Sequence, residues 1–327
     1  MNLKKIFFLS LFPFFASANS YACSSCGSSA TSPLVLNPGE NFKMYFGLSQ
    51  NFNYINYGYA GDKTKKWTDP NITTKDTATL ALGYRTSENS FMTLTGSYVR
   101  NEGPTNANDP SQGVKEKYLV GDPLLAGRYT LMDMEISSPN RPQIELMAGF
   151  KPSFAKNMVD NDGGELDTTG NGFYQTSGGI DFWWGMEFIQ FGGAQFVTYS
   201  FDRHPDVSLD YRGNRITETK RTRELQYTTV LTVGHAFTEQ NFQLQAGVVL
   251  DHIGQEHQYY DDGNSYTLPS QQSNSIFTTV NWNMTKLDLV RLSYSYGGAI
   301  ESNVGPFTNS AQTTSSMLLV AYERTFF

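Results

Sequence analysis

The residues with the clearest chemistry are two cysteines in the stretch CSSCGSS, Cys23 and Cys26, and the sequence has no other cysteine. Two thiols separated by two residues can close a local disulfide, or they can bind a soft metal such as copper(I) as thiolates. A third use is lipid attachment to Cys23, although Ser20 stands where a lipidation motif normally has leucine. A thioredoxin-like redox centre is not expected, because no βαβ pattern surrounds the pair. The sequence leaves the other three uses open.

The cysteines directly follow a segment typical of a secretory signal peptide. It has two lysines near its start, the apolar run IFFLSLFPFFA and small residues in ASANSYA. These features predict cleavage between Ala22 and Cys23, which removes residues 1–22. The apolar run is too short to cross a membrane as a helix. The exported chain is then expected to begin with a flexible periplasmic tail, residues 23–40, in an oxidising compartment where Cys23 and Cys26 can pair.

The composition favours a β-rich protein in which polar and apolar residues are finely mixed. Of the 327 residues, 14% are aromatic and only 17% are charged. Such a chain has the aromatic residues that disordered chains lack. The formal net charge of −7 argues against nucleic acid as a partner, because binding to phosphates needs a basic surface.

Apolar and polar residues alternate with a period of two from residue 41 onward. In FKMYFGLSQNFNY, Phe42, Met44 and Phe46 fall on one face, whereas Lys43 and Tyr45 fall on the other. This period is typical of β-strands. TATLALGY and FMTLTGSYV repeat it. Further strands are expected near 118–132, 142–153, 172–185, 189–202, 223–237, 242–258, 272–284, 287–300 and 313–327, which makes about twelve strands in all.

The connections between these strands alternate between short and long. Short ones are expected at 86–90, 133–141, 186–188, 238–241 and 285–286, and long polar ones at 54–75, 101–117, 155–171, 203–222, 259–271 and 301–312. This alternation is the pattern of bacterial outer-membrane barrels, as are aromatic residues at the strand ends. We therefore predict an all-β fold in which residues 41–327 form a single antiparallel transmembrane β-barrel of about 12 strands. Its short turns face the periplasm, its long loops face outward, and its outer surface contacts outer-membrane lipid.

The strand positions that face away from lipid carry charged residues of both signs. A barrel of roughly twelve strands is too wide to be filled by its own wall side chains, yet narrower than an open porin. We therefore expect a narrow, charge-lined channel or a partly plugged one, and residues 27–40 form a flexible leash that could fold into the barrel mouth. We expect the inward charges to pair across the lumen and to set the selectivity for a small solute. The predicted lumen-lining residues are Lys43, Arg85, Arg128, Glu145, Lys151, Asp181, Arg291 and Glu323, with Glu224 and Asp251 on the same face.

Two resemblances extend this prediction. The last stretch, MLLVAYERTFF, resembles the terminal assembly signal of outer-membrane barrels, which implies the barrel-assembly machinery as a partner. GDPLLAGRYTL, PQIELMAGFKPSF and GNGFYQTSGGIDFWWG resemble a transporter-like outer-membrane barrel family that is loosely associated with the meta-pathway of phenol degradation. This resemblance covers about a third of the chain. It implies a passive channel or uptake porin and names no substrate.

Other chemistry has weaker support in the sequence. The loop DNDGGELDTTGNG, 160–172, departs from the spacing of a calcium loop, although it could bridge divalent cations, as could His252 and His257. No G-x-S-x-G motif is present, so we do not expect an enzyme, and we expect no resident cofactor. The alternative to a porin is a barrel with a blocked lumen that binds copper or acts as a structural or interaction protein through its Cys23–Cys26 tail or its loops.

Overall fold

Twelve antiparallel strands close into one β-barrel, which confirms the predicted fold class. The computed structural model describes residues 34–36, 39–56, 71–104, 114–133, 142–155, 169–170, 172–185, 189–205, 207–211, 214–237, 240–303 and 310–326. The strands are β1 (Phe42–Asn56), β2 (Asn71–Ser87), β3 (Ser90–Pro104), β4 (Val114–Val120), β5 (Leu124–Met132), β6 (Gln143–Lys151), β7 (Gln175–Gly185), β8 (Gln190–Ser200), β9 (Val207–Tyr211), β10 (Asn214–Arg223), β11 (Gln226–Phe237), β12 (Phe242–Ile253), β13 (Glu256–Tyr260), β14 (Ser265–Leu268), β15 (Gln271–Asn283), β16 (Asp288–Asn303) and β17 (Ser310–Phe326). Within these residues, no helix is long and apolar enough to cross a membrane.

The barrel closes where its first strand meets its last. Strand β1 pairs with β2 on one side and with β17 on the other, so that Phe42 lies opposite both Tyr84 and Phe326. The short connections, such as the turn between β2 and β3, lie at the same end of the barrel as Phe42 and Phe326. We call this the turn end, and the opposite end the loop end. A closed barrel of this kind leaves no unpaired sheet edge.

The outer surface of the barrel is a band of exposed apolar side chains. Because successive side chains of a strand point to opposite faces, each wall strand sends one set outward and the other into the lumen. A water-exposed surface of this kind is unfavourable, whereas lipid accommodates it. The exposed set includes Phe46, Leu48, Leu80, Leu82, Leu94, Leu146, Ile180, Leu231, Leu244, Ile276, Leu292 and Val320.

One strand of the wall is interrupted, where the sequence predicts a continuous strand at 118–132. Strands β4 and β5 are its two halves, and both pair with β3. Pro123 lies at the break, where it cannot donate a backbone hydrogen bond. Next to it, Asp122 Oδ1 accepts hydrogen bonds from the backbone N–H of Phe154, at 2.8 Å, and of Ala155, at 2.7 Å. A carboxylate therefore joins the wall to the segment after β6 at the level of the break.

A second, four-stranded sheet stands at the loop end and consists of β14, β13, β10 and β9 in that order. The long connections predicted at 203–222 and 259–271 do join wall strands, but they contain strands of their own that the sequence did not predict. The sequence NRITETKRTR of β10 has polar residues on both faces, and so it lacks the apolar alternation by which the wall strands are recognised.

Buried charges hold this second sheet together. Arg221 contacts Glu218 at 2.6 Å and Glu256 at 3.0 Å, and Arg223 contacts Glu256 at 2.6 Å. Burial lowers the pKa of the Arg221 guanidinium, but its hydrogen bonds to Glu218 and the negative charges of Glu218 and Glu256 together outweigh burial and raise the pKa above its usual value. The Arg223 guanidinium also lies over the ring of Phe173, 4.4 Å from its centroid. These contacts tie the second sheet to the segment before β7.

Candidate functional site in the barrel lumen

A short segment that precedes β1 occupies the lumen at the turn end. We call Leu34–Leu36 together with Gly39–Glu40 the lumen segment. Leu34 is 0% exposed and Leu36 is 3% exposed. A Cβ atom on Gly83 would come within 2.4 Å of Leu36 and 2.5 Å of Leu34, so a glycine at this wall position leaves the space that both leucines need. The other residues of this apolar cluster belong to the wall and are Tyr45, Ala81, Phe91 and Ala321.

A carboxylate fixes the end of the lumen segment to the wall. The Glu40 side chain lies 3.1 Å from Lys43 Nζ and accepts a hydrogen bond from Thr325 Oγ1 at 3.2 Å. Glu323 lies on the other side of Lys43, at 3.8 Å. One ammonium group on β1 therefore lies between a carboxylate of the lumen segment and a carboxylate of the wall.

The backbone of the lumen segment is also held by wall cations. Lys43 Nζ donates to the carbonyl oxygen of Val35 at 3.0 Å. Arg85 donates to the carbonyl oxygens of Glu40 at 2.7 Å and of Leu36 at 3.4 Å. Buried carbonyl groups outside a sheet need such donors. The segment is thus docked by two apolar side chains and by a set of charge-assisted hydrogen bonds.

A second charged cluster joins β5, β6 and β7 on the inner wall. Arg128 Nη1 lies 3.1 Å from both Glu145 and Asp181, and all three side chains are buried. Gln143 donates a further hydrogen bond to Glu145 at 3.0 Å. Because one guanidinium faces two carboxylates, the positive charge is compensated within the wall.

A third cluster joins polar and charged side chains of β17, β16, β15, β12 and β8 on the inner wall. Arg291 lies 2.6 Å from Glu323 and donates to Asn281 Oδ1 at 3.1 Å. Asn281 donates to Gln243 at 3.4 Å, and Gln243 donates to Gln190 at 2.6 Å. These contacts form a chain of hydrogen bonds along the inner wall.

The lumen also has an apolar region that is separate from the lumen segment. Six inward-facing side chains on β6, β8, β11, β12 and β15 are buried against one another. We call them the apolar belt: Met147, Ala194, Phe196, Val230, Val249 and Phe277. The lumen wall thus combines an apolar region with charged clusters, as do many small-molecule sites.

No protein-family model matches the sequence, and no curated protein is significantly similar to it. Solved structures do match. The COG4313 outer membrane channel from Pseudomonas putida F1 matches with a TM-score of 0.60 at 12% sequence identity, over 89% of this chain and 100% of that chain. The chain has the fold of a bacterial outer-membrane channel. Its closed barrel and exposed apolar band locate it in the outer membrane, with the turn end in the periplasm and the loop end outside.

Two further solved structures match the chain at lower similarity. A TodX deltaS2S3 mutant monoaromatic hydrocarbon channel has a TM-score of 0.47 at 9% identity, over 88% of this chain and 91% of that chain. The outer membrane protease OmpT from Escherichia coli has a TM-score of 0.35 at 11% identity, over 90% of this chain and 99% of that chain. The association with phenol degradation stays a prediction.

The eight residues predicted to line the lumen all occupy inward-facing strand positions, but they differ in their surroundings. Seven of them belong to the clusters described above. Lys151 stands apart, because its described ion pair is a long one, 4.0 Å from Asp122. The sequence placed Leu34, Leu36 and Glu40 in a flexible tail that could fold into the barrel mouth, but it did not single them out as the residues that dock there. Their signal is the apolar stretch PLVL within a segment otherwise rich in serine and glycine.

The remaining candidate sites have no assembled geometry in the described chain. Cys23 and Cys26 lie outside the described residues, as does most of the acidic loop at 160–172. His257 contacts the hydroxyl group of Thr267 at 2.9 Å, and the His252 ring lies 6.3 Å from that of Tyr227. Among the residues that are described, no group of three or more His, Cys, Asp or Glu side chains could hold a metal ion.

Proposed function

We propose that the protein is an outer-membrane channel for passive or facilitated passage of a small solute, and that the lumen segment closes its periplasmic end. The observation that carries this proposal is that a separate piece of chain, rather than the barrel wall, fills the lumen there. Leu34 and Leu36 are buried against wall residues on β1, β2, β3 and β17. A lumen filled in this way opens when the segment leaves.

The width of the barrel supports the same proposal. Eight strands enclose an interior that side chains just fill, whereas the largest porins leave a wide aqueous channel. A twelve-strand barrel lies between these cases, so its wall side chains leave room for a passage. The contacts of the lumen segment are hydrogen bonds and ion pairs of about 1–3 kcal/mol each, and solute or partner binding can offset contacts of that size.

The ion pairs of the lumen wall affect which solutes such a channel selects. Arg128 faces two carboxylates, and Arg291 faces Glu323. Because each guanidinium is compensated by carboxylates next to it, we expect these clusters to shape and rigidify the wall more than to attract ions. Selectivity would then depend on charges outside these clusters.

Planar-bilayer recording of the refolded protein tests the channel function. We expect discrete openings with a small unit conductance, because the lumen segment narrows the periplasmic end. Liposome swelling with small uncharged solutes provides an independent measure of passage. The complete lack of openings and of swelling, with a protein whose folded barrel is verified by its heat-dependent gel mobility, would count against a channel.

The ion pair between Glu40 and Lys43 allows a test of whether the lumen segment closes the channel. Glu40→Gln keeps the size of the side chain but removes the charge that faces Lys43, and it should raise the open probability about fivefold, since about 1 kcal/mol corresponds to a factor of that size. Single-channel recording measures the effect. Glu88→Gln, the same substitution on an exposed periplasmic turn, is the control and should behave like the wild type. Equal open probabilities for Glu40→Gln and the control would contradict closure by this contact.

The alternative of a metal-binding or structural barrel has less support. It depends on Cys23 and Cys26, and the described residues contain no clustered metal ligands. Copper(I) titration of the full chain against a variant with both cysteines changed to serine would test it directly.

A further inference from the structure

One carboxylate on the inner wall differs from the others because it has no ion pair within the described chain. Asp251 of β12 is in phase with Val249, a member of the apolar belt, so its side chain points into the lumen. Among the wall-strand carboxylates whose side chains are described, Asp251 alone has no cationic partner. The paired ones are Asp76, Glu102, Glu116, Glu145, Asp181, Asp288 and Glu323.

Two hydroxyl groups flank Asp251 on the inner wall. The register pairs it with Thr228 of β11 on one side and with Ser273 of β15 on the other, and directly opposed residues point to the same face of a sheet. Thr228 Oγ1 donates to Asp251 Oδ1 at 2.5 Å, whereas Asp251 Oδ2 and the Ser273 hydroxyl have no partner among the described residues. Asp251 and Ser273 are half-buried, so a solute in the lumen can reach both groups. We call Thr228, Asp251 and Ser273 the acceptor row.

Apolar side chains adjoin the acceptor row. Val249 precedes Asp251 by two residues, which places it about 7 Å nearer the turn end, and the half-buried Ile253 follows Asp251 by the same interval. Phe196 of the apolar belt lies opposite Thr228. A molecule with one polar end and a short apolar body would therefore meet the carboxylate and apolar side chains together.

The acceptor row suits an ammonium group better than a metal ion. An ammonium group has three N–H donors, and it forms charge-assisted hydrogen bonds with a carboxylate. Calcium binds about six to eight oxygen ligands, whereas no group of three or more His, Cys, Asp or Glu side chains in the described chain could hold a metal ion. One carboxylate with a neighbouring hydroxyl group is thus a site for an organic cation.

We propose that the extracellular half of the lumen binds small amphiphilic amines, with the ammonium group on Asp251 and Ser273 and the apolar body against Val249 and Ile253. The ion pair with Asp251 is stronger where the lumen excludes part of the water, and the net charge of −7 of the protein favours the approach of cations. A neutral molecule of the same shape gains only from the apolar side chains. As a statement about the transported solute, this inference rests on the proposed channel function.

Benzylamine and benzyl alcohol are nearly isosteric probes that differ in charge. Binding of each to the full-length protein is measured by calorimetry at neutral pH in an uncharged detergent. We expect the amine to bind at least tenfold more tightly than the alcohol. Asp251→Asn keeps the size of the side chain and should bring the two affinities to within about twofold of each other, since a tenfold preference corresponds to only about 1.4 kcal/mol. Asp251→Glu keeps the charge and should keep the preference for the amine.

A matched control and a second readout make the test decisive. Asp262→Asn removes the same charge from an exposed turn of the second sheet and should leave the amine preference unchanged, and gel mobility confirms that every variant folds. Equal binding of the two probes to the wild type, or an unchanged preference in Asp251→Asn, would overturn the inference. Bilayer recording then separates the two proposals. A protein that prefers the amine but neither conducts nor transports it retains the site and refutes the channel, whereas one that conducts without the preference does the reverse.

Discussion

Replacing Leu34 and Leu36 together by aspartate should raise the unit conductance of the channel several-fold. In the closed barrel both leucines are buried against Tyr45, Ala81 and Phe91. Each contributes about 1.5–3 kcal/mol by leaving water, and a carboxylate buried there without a partner costs several kcal/mol more. These changes exceed what the hydrogen bonds of Lys43 and Arg85 to the segment supply. The lumen segment should therefore leave the barrel and open its periplasmic end.

Two further variants identify the reason for such a change. Leu34→Met/Leu36→Met keeps the apolar volume and should leave the conductance near that of the wild type, because swaps of this kind cost little. Gly83→Phe alters the wall rather than the segment. It fills the space that the leucines occupy, and so it should also open the channel. A wild-type conductance in both Leu34→Asp/Leu36→Asp and Gly83→Phe would refute occlusion by the segment.

The barrel could be predicted from the sequence because one physical requirement repeats in every wall strand. Each strand separates lipid from a wetter interior, so its residues alternate, as Ile276 and Trp282 facing outward and Phe277 and Asn281 facing inward illustrate. The same alternation gave the inward positions of Arg128, Glu145 and Arg291. Alternation of this kind depends only on whether each residue of a strand faces lipid or the lumen. It can therefore be seen in the sequence of that strand alone.

What the sequence did not reveal depends on contacts between distant residues. The lumen segment is held by partners up to 285 residues away, as in the hydrogen bond between Thr325 and Glu40. No periodic pattern in the sequence predicts such a contact. The second sheet has polar residues on both faces, so its strands lack the apolar alternation that predicts a strand. The break at Pro123 is compensated by Asp122 through the backbone of Phe154, 32 residues away. In each case the deciding interaction is tertiary rather than local.

Replacing Arg128 by methionine should destabilise the barrel by about 3–5 kcal/mol, the usual cost of removing one partner of a buried ion pair. Arg128 lies 3.1 Å from both Glu145 and Asp181, whose side chains are 3% and 1% exposed. Without the guanidinium, two buried carboxylates lose the positive charge that they share. Urea-induced unfolding in lipid vesicles, followed by tryptophan fluorescence, measures the loss of stability.

The triple variant Arg128→Met/Glu145→Gln/Asp181→Asn distinguishes the loss of an attraction from the cost of burying two carboxylates that have lost their shared cation. If the buried carboxylates are the cause, the triple variant should recover most of the stability, because neutral groups carry a smaller desolvation cost in the wall. Arg100→Met is the matched control. Arg100 contacts Asp76, Glu102 and Glu116 on the outer side, where its side chain is 30% exposed, and an exposed network of this kind contributes about 1 kcal/mol or less. Equal losses for Arg128→Met and Arg100→Met would mean that the inner cluster is solvated like the outer one, and its charges would then be available to a solute in the lumen.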